Sequence, residues 1–293
     1  MKLSELLKKH GFKFSKKYGQ NFLSDGNLLI SIVEKGGVNG DIPVLEIGCG
    51  AGTLTKQLCE RAKFVYGYEI DKTLAPVLGE NLAGIKNCEI TFRDVMREKT
   101  SEIEKHIGEP YMLVANLPYY ITSPLIMKFI EESELCQSIV IMVQEEVADR
   151  VLAAHGTAEY GAITAGINLV ADSERLLDVP RDMFYPVPNV DSSVIKITFN
   201  RKKFSPLSKA TYRSVVRTAF SSRRKTLANN LKEWLKCDRA VVESVLTNAG
   251  IDVMARGETL SAEQFVLLSD EIHKLTGGVF GTAKNSATKK QNS

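Results

Sequence analysis

The chain has 293 residues, with 38 Lys and Arg against 35 Asp and Glu, and five Cys. That length allows one large domain or two unequal ones, and 44% hydrophobic with 25% charged residues excludes a wholly disordered or collagen-like chain. The net charge of +3 hides a bias: residues 201–236 hold eleven Lys or Arg and one acid, so that window is +10 and the remainder −7.

Residues 1–18 carry six Lys and one Glu and read as a basic arm with a short helix. They lack the apolar core of a secretory signal, and no apolar run reaches the roughly 18 residues of a membrane span. A soluble, cytoplasmic chain with no membrane contact is therefore expected. From about residue 26 to 200, short β-rich runs (43–47, 64–69, 88–93, 111–115, 138–144 and 194–199) alternate with helical stretches such as 53–62 and 123–132. The alternation predicts an α/β fold, a Rossmann-like parallel sheet with helices on both faces. Ligands of such sheets bind at the carboxyl ends of the strands. After residue 199 the strand signals stop. Helices are predicted near 206–219, 223–235, 238–248 and 261–275, a small all-α C-terminal domain. The expected organisation is an arm (1–18), a catalytic domain (19–200), a helical domain (201–276) and a Gly/Ser/Thr/Asn/Lys-rich disordered tail (277–293). The cysteines form no Cys-x-x-Cys pair and the four histidines are scattered, so neither a disulfide framework nor a metal site is predicted.

The first strand runs into Gly48-Cys49-Gly50-Ala51-Gly52, and a helix begins at Thr53. The glycines allow positive φ and close backbone approach to a ligand. The loop has no Gly-Lys-Ser/Thr, and its third glycine comes too early for the dinucleotide fingerprint. Glu69 ends the next strand, 21 positions after Gly48, where a carboxylate accepts hydrogen bonds from ribose hydroxyls. Asp94 ends the third strand, placed for an adenine amino group. Glu46, Glu69 and Asp94 at or near three strand ends suit a nucleoside with a cationic other end and repel a pyrophosphate; S-adenosylmethionine answers that description.

The fourth strand ends Asn116-Leu117-Pro118-Tyr119-Tyr120. This resembles the Asn/Asp-Pro-Pro-Tyr signature of amino-group methyltransferases. An adenine amino nitrogen is a poor nucleophile, and acceptors on both its N–H groups free the lone pair. The Asn116 side-chain oxygen and the Leu117 carbonyl are the candidate acceptors. Pro118 fixes φ and removes a competing donor, and Tyr119 offers a stacking face. Phe184, in Phe184-Tyr185-Pro186-Val187-Pro188, is the candidate for the other face of a base taken out of its stack.

Gly19–Leu23, the 46–55 loop, Asn116–Tyr120, Gln144–Arg150, Tyr160-Gly161, Phe184–Ser192 and Ala219–Leu227 together resemble the KsgA (RsmA) family of small-subunit ribosomal RNA adenine dimethyltransferases. The resemblance runs from about residue 10 to 275. It implies a class I methyltransferase with a helical C-terminal domain. Such an enzyme dimethylates N6 of two adjacent adenosines in the 3′-terminal hairpin of 16S rRNA, within a pre-30S particle, late in assembly. Loss of the bacterial activity is associated with kasugamycin resistance. A monomer is expected. By the resemblance, Asn21 and Leu23 close over the cofactor, and Gly48 lies beside its methionine part. Glu46, Gly50, Ile70 and Val95 belong to the same site, Glu69 holds ribose, Asp94 holds adenine and Asn116 holds the target amino group. Cys49 stands where the family usually has proline.

Lys209, Arg213 and Arg217 fall on one helical face, and Arg223-Arg224-Lys225 follows at the next helix start. Cations there oppose the helix dipole, which points to a phosphate partner. Two alternatives remain at this stage: an Erm-type enzyme acting on 23S rRNA, and a non-catalytic assembly factor that kept the fold.

Overall fold

The structure is a computed structural model that describes residues 3–12, 22–23 and 25–278. Asn21 and the tail from residue 279 fall outside the described residues. In chain order the elements are α1 (Leu3–Lys9), β1 (Phe22–Leu23), α2 (Gly26–Gly36), β2 (Val44–Ile47), α3 (Thr53–Cys59) and β3 (Val65–Glu69). Then come α4 (Ala75–Asn81), β4 (Cys88–Phe92), α5 (Thr100–Ile107), β5 (Tyr111–Asn116), α6 (Tyr119–Glu132), β6 (Cys136–Gln144) and α7 (Glu145–Leu152). After α8 (Ala162–Asn168) follow β7 (Ala171–Val179), β8 (Phe184–Tyr185), β9 (Ser192–Phe199), α9 (Lys209–Ala219), α10 (Leu227–Leu235), α11 (Arg239–Asn248) and α12 (Ala262–Thr276).

Seven strands form one sheet in the order β4-β3-β2-β5-β6-β9-β7. The first five are parallel; β9 lies antiparallel between β6 and β7, so β7 points the same way as the first five. β2 pairs with β3 on one side and β5 on the other. The chain therefore departs from the β2/β5 pair in opposite directions, which opens a crevice at the carboxyl ends of these strands.

The sheet is mixed where the sequence predicted a parallel one, and β7 was not foreseen. This strand is the edge of the sheet, with Asp172, Glu174, Arg175 and Asp178 along it, and a register shift between Arg175 and Leu177 breaks its alternation. Charge and a bulge protect an edge from further pairing, and they also erase the period-2 signal of a strand.

Contacts divide the chain into two compact units. One holds α1 to α7 with β1 to β9; the second takes residues 153–170 together with the chain from residue 200. The sequence reading left 153–170 with the sheet. In the structure α8 buries Thr164, Ala165 and Ile167. Tyr212 of α9 donates its hydroxyl to the Ala165 carbonyl at 2.8 Å, which joins this segment to the helical unit.

The N-terminal segment is also more than an arm. Leu6 and Leu7 of α1 are buried in a cluster with Phe22, Cys49, Ala51, Leu74, Val77 and Leu78. Lys9 Nζ and His10 Nε2 reach the Glu80 carboxylate of α4 at 2.7 and 2.8 Å. Residues 13–18 of the expected arm lie outside the described residues.

Gly67 of β3 is a packing requirement. A Cβ there would lie 2.5 Å from Ile90 Cδ1 and 2.6 Å from Cys49 Sγ. The side-chain-free site in the strand is what lets Cys49 occupy the glycine loop. Gly67→Ala is expected to destabilise the protein by about 1–3 kcal/mol in denaturant unfolding, the usual cost of overpacking. Gly79→Ala in α4, where a Cβ meets nothing within 4 Å, is expected to stabilise by about 0.5–1 kcal/mol in the same assay.

Candidate active site

At the crevice a cavity of about 220 Å³ is lined from four strand ends and two loops. Ile47–Gly50 come from β2 and its turn, Tyr68–Ile70 from β3, Arg93–Met96 from β4 and Asn116–Ile121 from β5 and the start of α6. Phe22, Leu23 and Phe184 also line it.

The glycine turn sets the shape of one wall. Gly48 has φ +82°, and a Cβ on it would sit 2.8 Å from Leu117 Cδ2 and 3.1 Å from the Asn116 carbonyl oxygen. The turn after β2 and the loop after β5 therefore touch backbone to side chain, which only glycine permits there. The Gly50 amide donates to Glu69 Oε2 at 2.8 Å, and the Asp71 amide donates to Glu69 Oε1 at 2.8 Å. Each of these bonds uses one of the two lone pairs on its oxygen. Burial raises the Glu69 pKa, opposed by these backbone donors and by the Ile70 amide. Asp94 caps the 3-10 turn Val95–Arg97: its Oδ1 accepts from the Met96 amide at 3.0 Å, and Oδ2 pairs with Arg97 Nε at 3.3 Å.

The roof is a two-stranded ribbon. Leu23 pairs with Phe184 and Phe22 with Tyr185. Leu23 accepts from Thr53 Oγ1 at 3.4 Å through its carbonyl, and the Phe22 ring covers Gly50, 2.8 Å from where a Cβ would stand. Leu23 and Phe184 are both buried.

The loop after β5 begins α6 at Tyr119, with Pro118 as its N-cap. The Tyr119 hydroxyl shares a 3.0 Å hydrogen bond with Ser192 Oγ at the start of β9. That bond fixes one ring at the cavity, and Phe184 presents a second. The Asn116 side chain has no hydrogen-bond partner among the described residues, so its amide oxygen is available to a ligand.

The structure thus brings Leu23, Gly48, Gly50, Glu69, Ile70, Asp94, Val95, Asn116, Leu117, Pro118, Tyr119 and Phe184 to one cavity. Glu46 is not among the lining residues. It is fully buried beneath the turn, and neither oxygen has a hydrogen bond of ordinary geometry, although the Thr55 and Cys49 side chains approach it. Burial, assisted by the Glu69 charge, pushes its pKa from 4.5 up to about 7. Sequence reasoning missed Phe22 as the cover of Gly50 and Ser192 as the anchor of Tyr119. Both lie in stretches it singled out, but only register places them here. Among the described residues no group of three or more His, Cys, Asp or Glu is placed to hold a metal ion.

Residues 11–274 match the sequence model of the family described as ribosomal RNA adenine dimethylase. The chain belongs to that family. Relatives from Bacillus mycoides and Bacillus cereus, both named ribosomal RNA small subunit methyltransferase A, are 41% identical over 281 residues, covering 93% of this chain and 96% of theirs. Among solved structures, a dimethyladenosine transferase from Plasmodium falciparum has a TM-score of 0.74 at 26% identity, covering 86% of this chain and 98% of that one. The 23S rRNA methyltransferase ErmE has a TM-score of 0.66 at 30% identity, covering 85% and 98%. The fold is that of the class I methyltransferases, and this chain is an rRNA adenine methyltransferase.

The basic segment of this family member lies in the helical unit. α9 buries Tyr212, Val215 and Val216 on one face, with Lys209 and Arg217 exposed and Arg213 partly so. Arg213 Nε turns back to the Lys209 carbonyl at 3.3 Å. The 223–225 cations occupy the turn before α10, whose N-cap is Thr226. Their roles differ. The Arg223 guanidinium donates to the carbonyls of Ala158 and Tyr160 at 2.6 and 2.7 Å, so it holds the 153–170 segment in the helical unit. Lys225 pairs with Glu233. Arg224 is exposed.

Two outcomes follow from this geometry. Arg223→Ala is expected to destabilise the helical unit by about 1–3 kcal/mol through two lost charge-assisted bonds, measured by denaturant unfolding, whereas Arg224→Ala is expected to leave the unfolding midpoint unchanged. For Glu46, below about pH 4.5 the folded and unfolded states are both protonated, and its burial then adds no pH dependence. Between there and about pH 7 the unfolded chain releases the proton and the folded chain keeps it, so stability falls as pH rises. A shift from 4.5 to about 7 corresponds to a loss of up to about 3 kcal/mol. Glu46→Gln is expected to flatten this decline between pH 5 and 8; an unchanged slope in pH-dependent unfolding would contradict a proton held at Glu46.

Proposed function

We propose that the chain transfers methyl groups from S-adenosylmethionine to N6 of two adjacent adenosines in the 3′-terminal hairpin loop of small-subunit rRNA. It would act as a monomer on a pre-30S particle in the cytoplasm. The observation that carries this reading is one cavity with two halves: Glu69 and Asp94 at the ends of β3 and β4, and Asn116 beside an anchored Tyr119 and a buried Phe184 at the other end.

The residues present fit the cofactor. The acidic half holds two carboxylates and a single arginine, Arg93, which already faces Glu98 at 3.7 Å. That charge suits a nucleoside with a cationic group and opposes a polyphosphate. The Glu69 carboxylate matches ribose hydroxyls, and Asp94 matches an exocyclic amine. Gly48 and Gly50 let the turn pack against Leu117 and Phe22, with the turn lining the cavity. Bound here, the cofactor would supply a methyl group on a sulfonium; it would leave as a neutral thioether, and the acidic proton of the methylated amino group would pass to solvent without a strong base.

The chain's own residues then act on the adenine. Tyr119 and Phe184 take the two faces of the base, so the base must leave its stack to enter. Asn116 accepts one hydrogen of the amino group through its side-chain oxygen, and the Leu117 carbonyl accepts the other. With both N–H bonds engaged the nitrogen moves toward sp³ and its lone pair turns to the methyl group. Pro118 has no N–H to compete for those acceptors. Catalysis is then orientation and electrostatics. For the second methylation one N–H remains, held by one of the two acceptors, and a planar base still fits between the two rings.

The exposed cations Lys209, Arg213, Arg217 and Arg224 would position the RNA backbone without reading sequence. Arg223 and Lys225 already hold partners within the unit but keep further N–H donors exposed, so they would add to the same contact. Names of the 41% identical relatives favour the small subunit, whereas the ErmE likeness marks 23S rRNA as the competing target.

The test is methyl transfer from labelled S-adenosylmethionine to undermethylated 30S particles, 50S particles and naked rRNA, with the modified nucleoside mapped. Dimethyladenosine near the 16S 3′ end in 30S particles is expected. Label confined to 23S rRNA moves the chain to the competing target. Asn116→Ala is expected to lower kcat by about 10²–10³-fold, the scale of a lost transition-state hydrogen bond, with cofactor affinity measured by calorimetry falling far less. Full restoration of 30S maturation by Asn116→Ala in a deletion strain would make binding, not methylation, the primary role.

A further inference from the structure

Among the described residues of the sheet-bearing unit, the large apolar side chains that stand exposed are Ile70, Tyr120, Tyr185, Val187 and Val190. Single exposed apolar residues are ordinary, but here two line the cavity and the other three lie between Phe184, which lines it, and Ser192, which bonds Tyr119. Ile70 and Tyr120 line the cavity, on its acidic and aromatic halves respectively. Tyr185 follows Phe184, and Val187 and Val190 lie in the loop that leads from β8 to β9.

This lip is held rigidly. The Arg181 amide donates to Asp191 Oδ1 at 2.9 Å, and Arg181 Nη1 donates to the Asn189 carbonyl at 3.2 Å. The Glu145 amide donates to the Asp191 carbonyl at 3.2 Å. Ser192, the next residue, holds the Tyr119 hydroxyl. Tyr120 is 65% exposed in the first turn of α6. Successive helical residues point about 100° apart, so Tyr119 turned to the target base leaves Tyr120 at the mouth.

An adenine drawn into the cavity leaves its neighbour in the strand without a stacking partner, and that neighbour must pass over the mouth. A phenol ring standing in water at that point offers a replacement face, and such stacking tolerates any base. We infer that Tyr120, flanked by the Tyr185–Val190 lip, is a second base site that stacks the nucleotide adjoining the target adenosine. The inference rests on the rRNA adenine reading above. Tyr120 acts here as a positioning residue: it holds the strand so that the target base stays in the cavity, and it touches no reacting atom.

The test uses the full chain and undermethylated 30S particles. Tyr120→Ala is expected to raise KM for the particle about ten-fold, with KM carrying more of the loss than kcat, the scale of one lost base–aromatic stack. Tyr120→Phe is expected to stay within two-fold of wild type, and Tyr120→Leu to follow the alanine variant, because a planar face and not apolar area is required. Leucine performing as well as phenylalanine would overturn the stacking role. A photoreactive p-benzoylphenylalanine placed at position 120 is expected to crosslink to a nucleotide next to the methylated adenosine. A crosslink to a ribosomal protein, or none while the wild-type chain methylates the same particles, also overturns it. Failure of the underlying reading is separate, since it appears as absence of methyladenosine with the wild-type chain.

Discussion

The hydrogen bond from the Gly50 amide to the Glu69 carboxylate closes the glycine turn onto the neighbouring strand. It is a short reach between the ends of β2 and β3, and other features of the site exist to allow it. Gly67 removes a side chain so that Cys49 can sit over β3. Gly48 lets the turn meet Leu117, and Phe22 seals the far side of Gly50. A larger residue at any of these places would push the turn away and separate the carboxylate half of the cavity from the Asn116 half. Burial keeps the Cys49 thiol protonated, so it serves as a small apolar filler where a proline would have stiffened the turn.

The electrostatics of the crevice come in two layers. Glu69 and Asp94 face the cavity and have donors that keep their charges soluble there. Glu46 lies one layer below with no such donors, and burial favours its protonated form. Burial of Glu46 in its protonated form leaves Glu69 and Asp94 as the carboxylates that face the cavity. Three ionised carboxylates in so small a space would cost more than the backbone amides return.

Much of this was legible in the sequence. β2, β3, β4, β5 and β6 were read within two residues because each is a short β-rich run bounded by turn residues; α11 and α12 were read within one residue, whereas α9 and α10 begin three and four residues later than expected. The glycine turn and Asn116–Tyr119 could be read because their chemistry is local. What was not legible depends on position in three dimensions. β7 lacks alternation because it is a charged, bulged edge. Glu46 reads as a strand-end ligand, but the pleat turns it beneath the loop and away from the cavity. Arg223 reads as one of three equivalent cations, and only the fold brings two carbonyls, 63 and 65 positions earlier, to its guanidinium.

The docking of α1 bears on how preparations of the protein behave. Leu6 and Leu7 share a cluster with Phe22 and Cys49, and so support the turn and the roof from behind. The lysine content of this segment invites the assumption that trimming it, or fusing a bulky tag to it, affects only the grip on RNA. The packing says otherwise: loss of α1 exposes the back of Phe22 and loosens the turn and roof of the cavity. A shortened version with poor activity would then be a defect in the small-molecule half of the enzyme, visible even when no nucleic acid is in the tube.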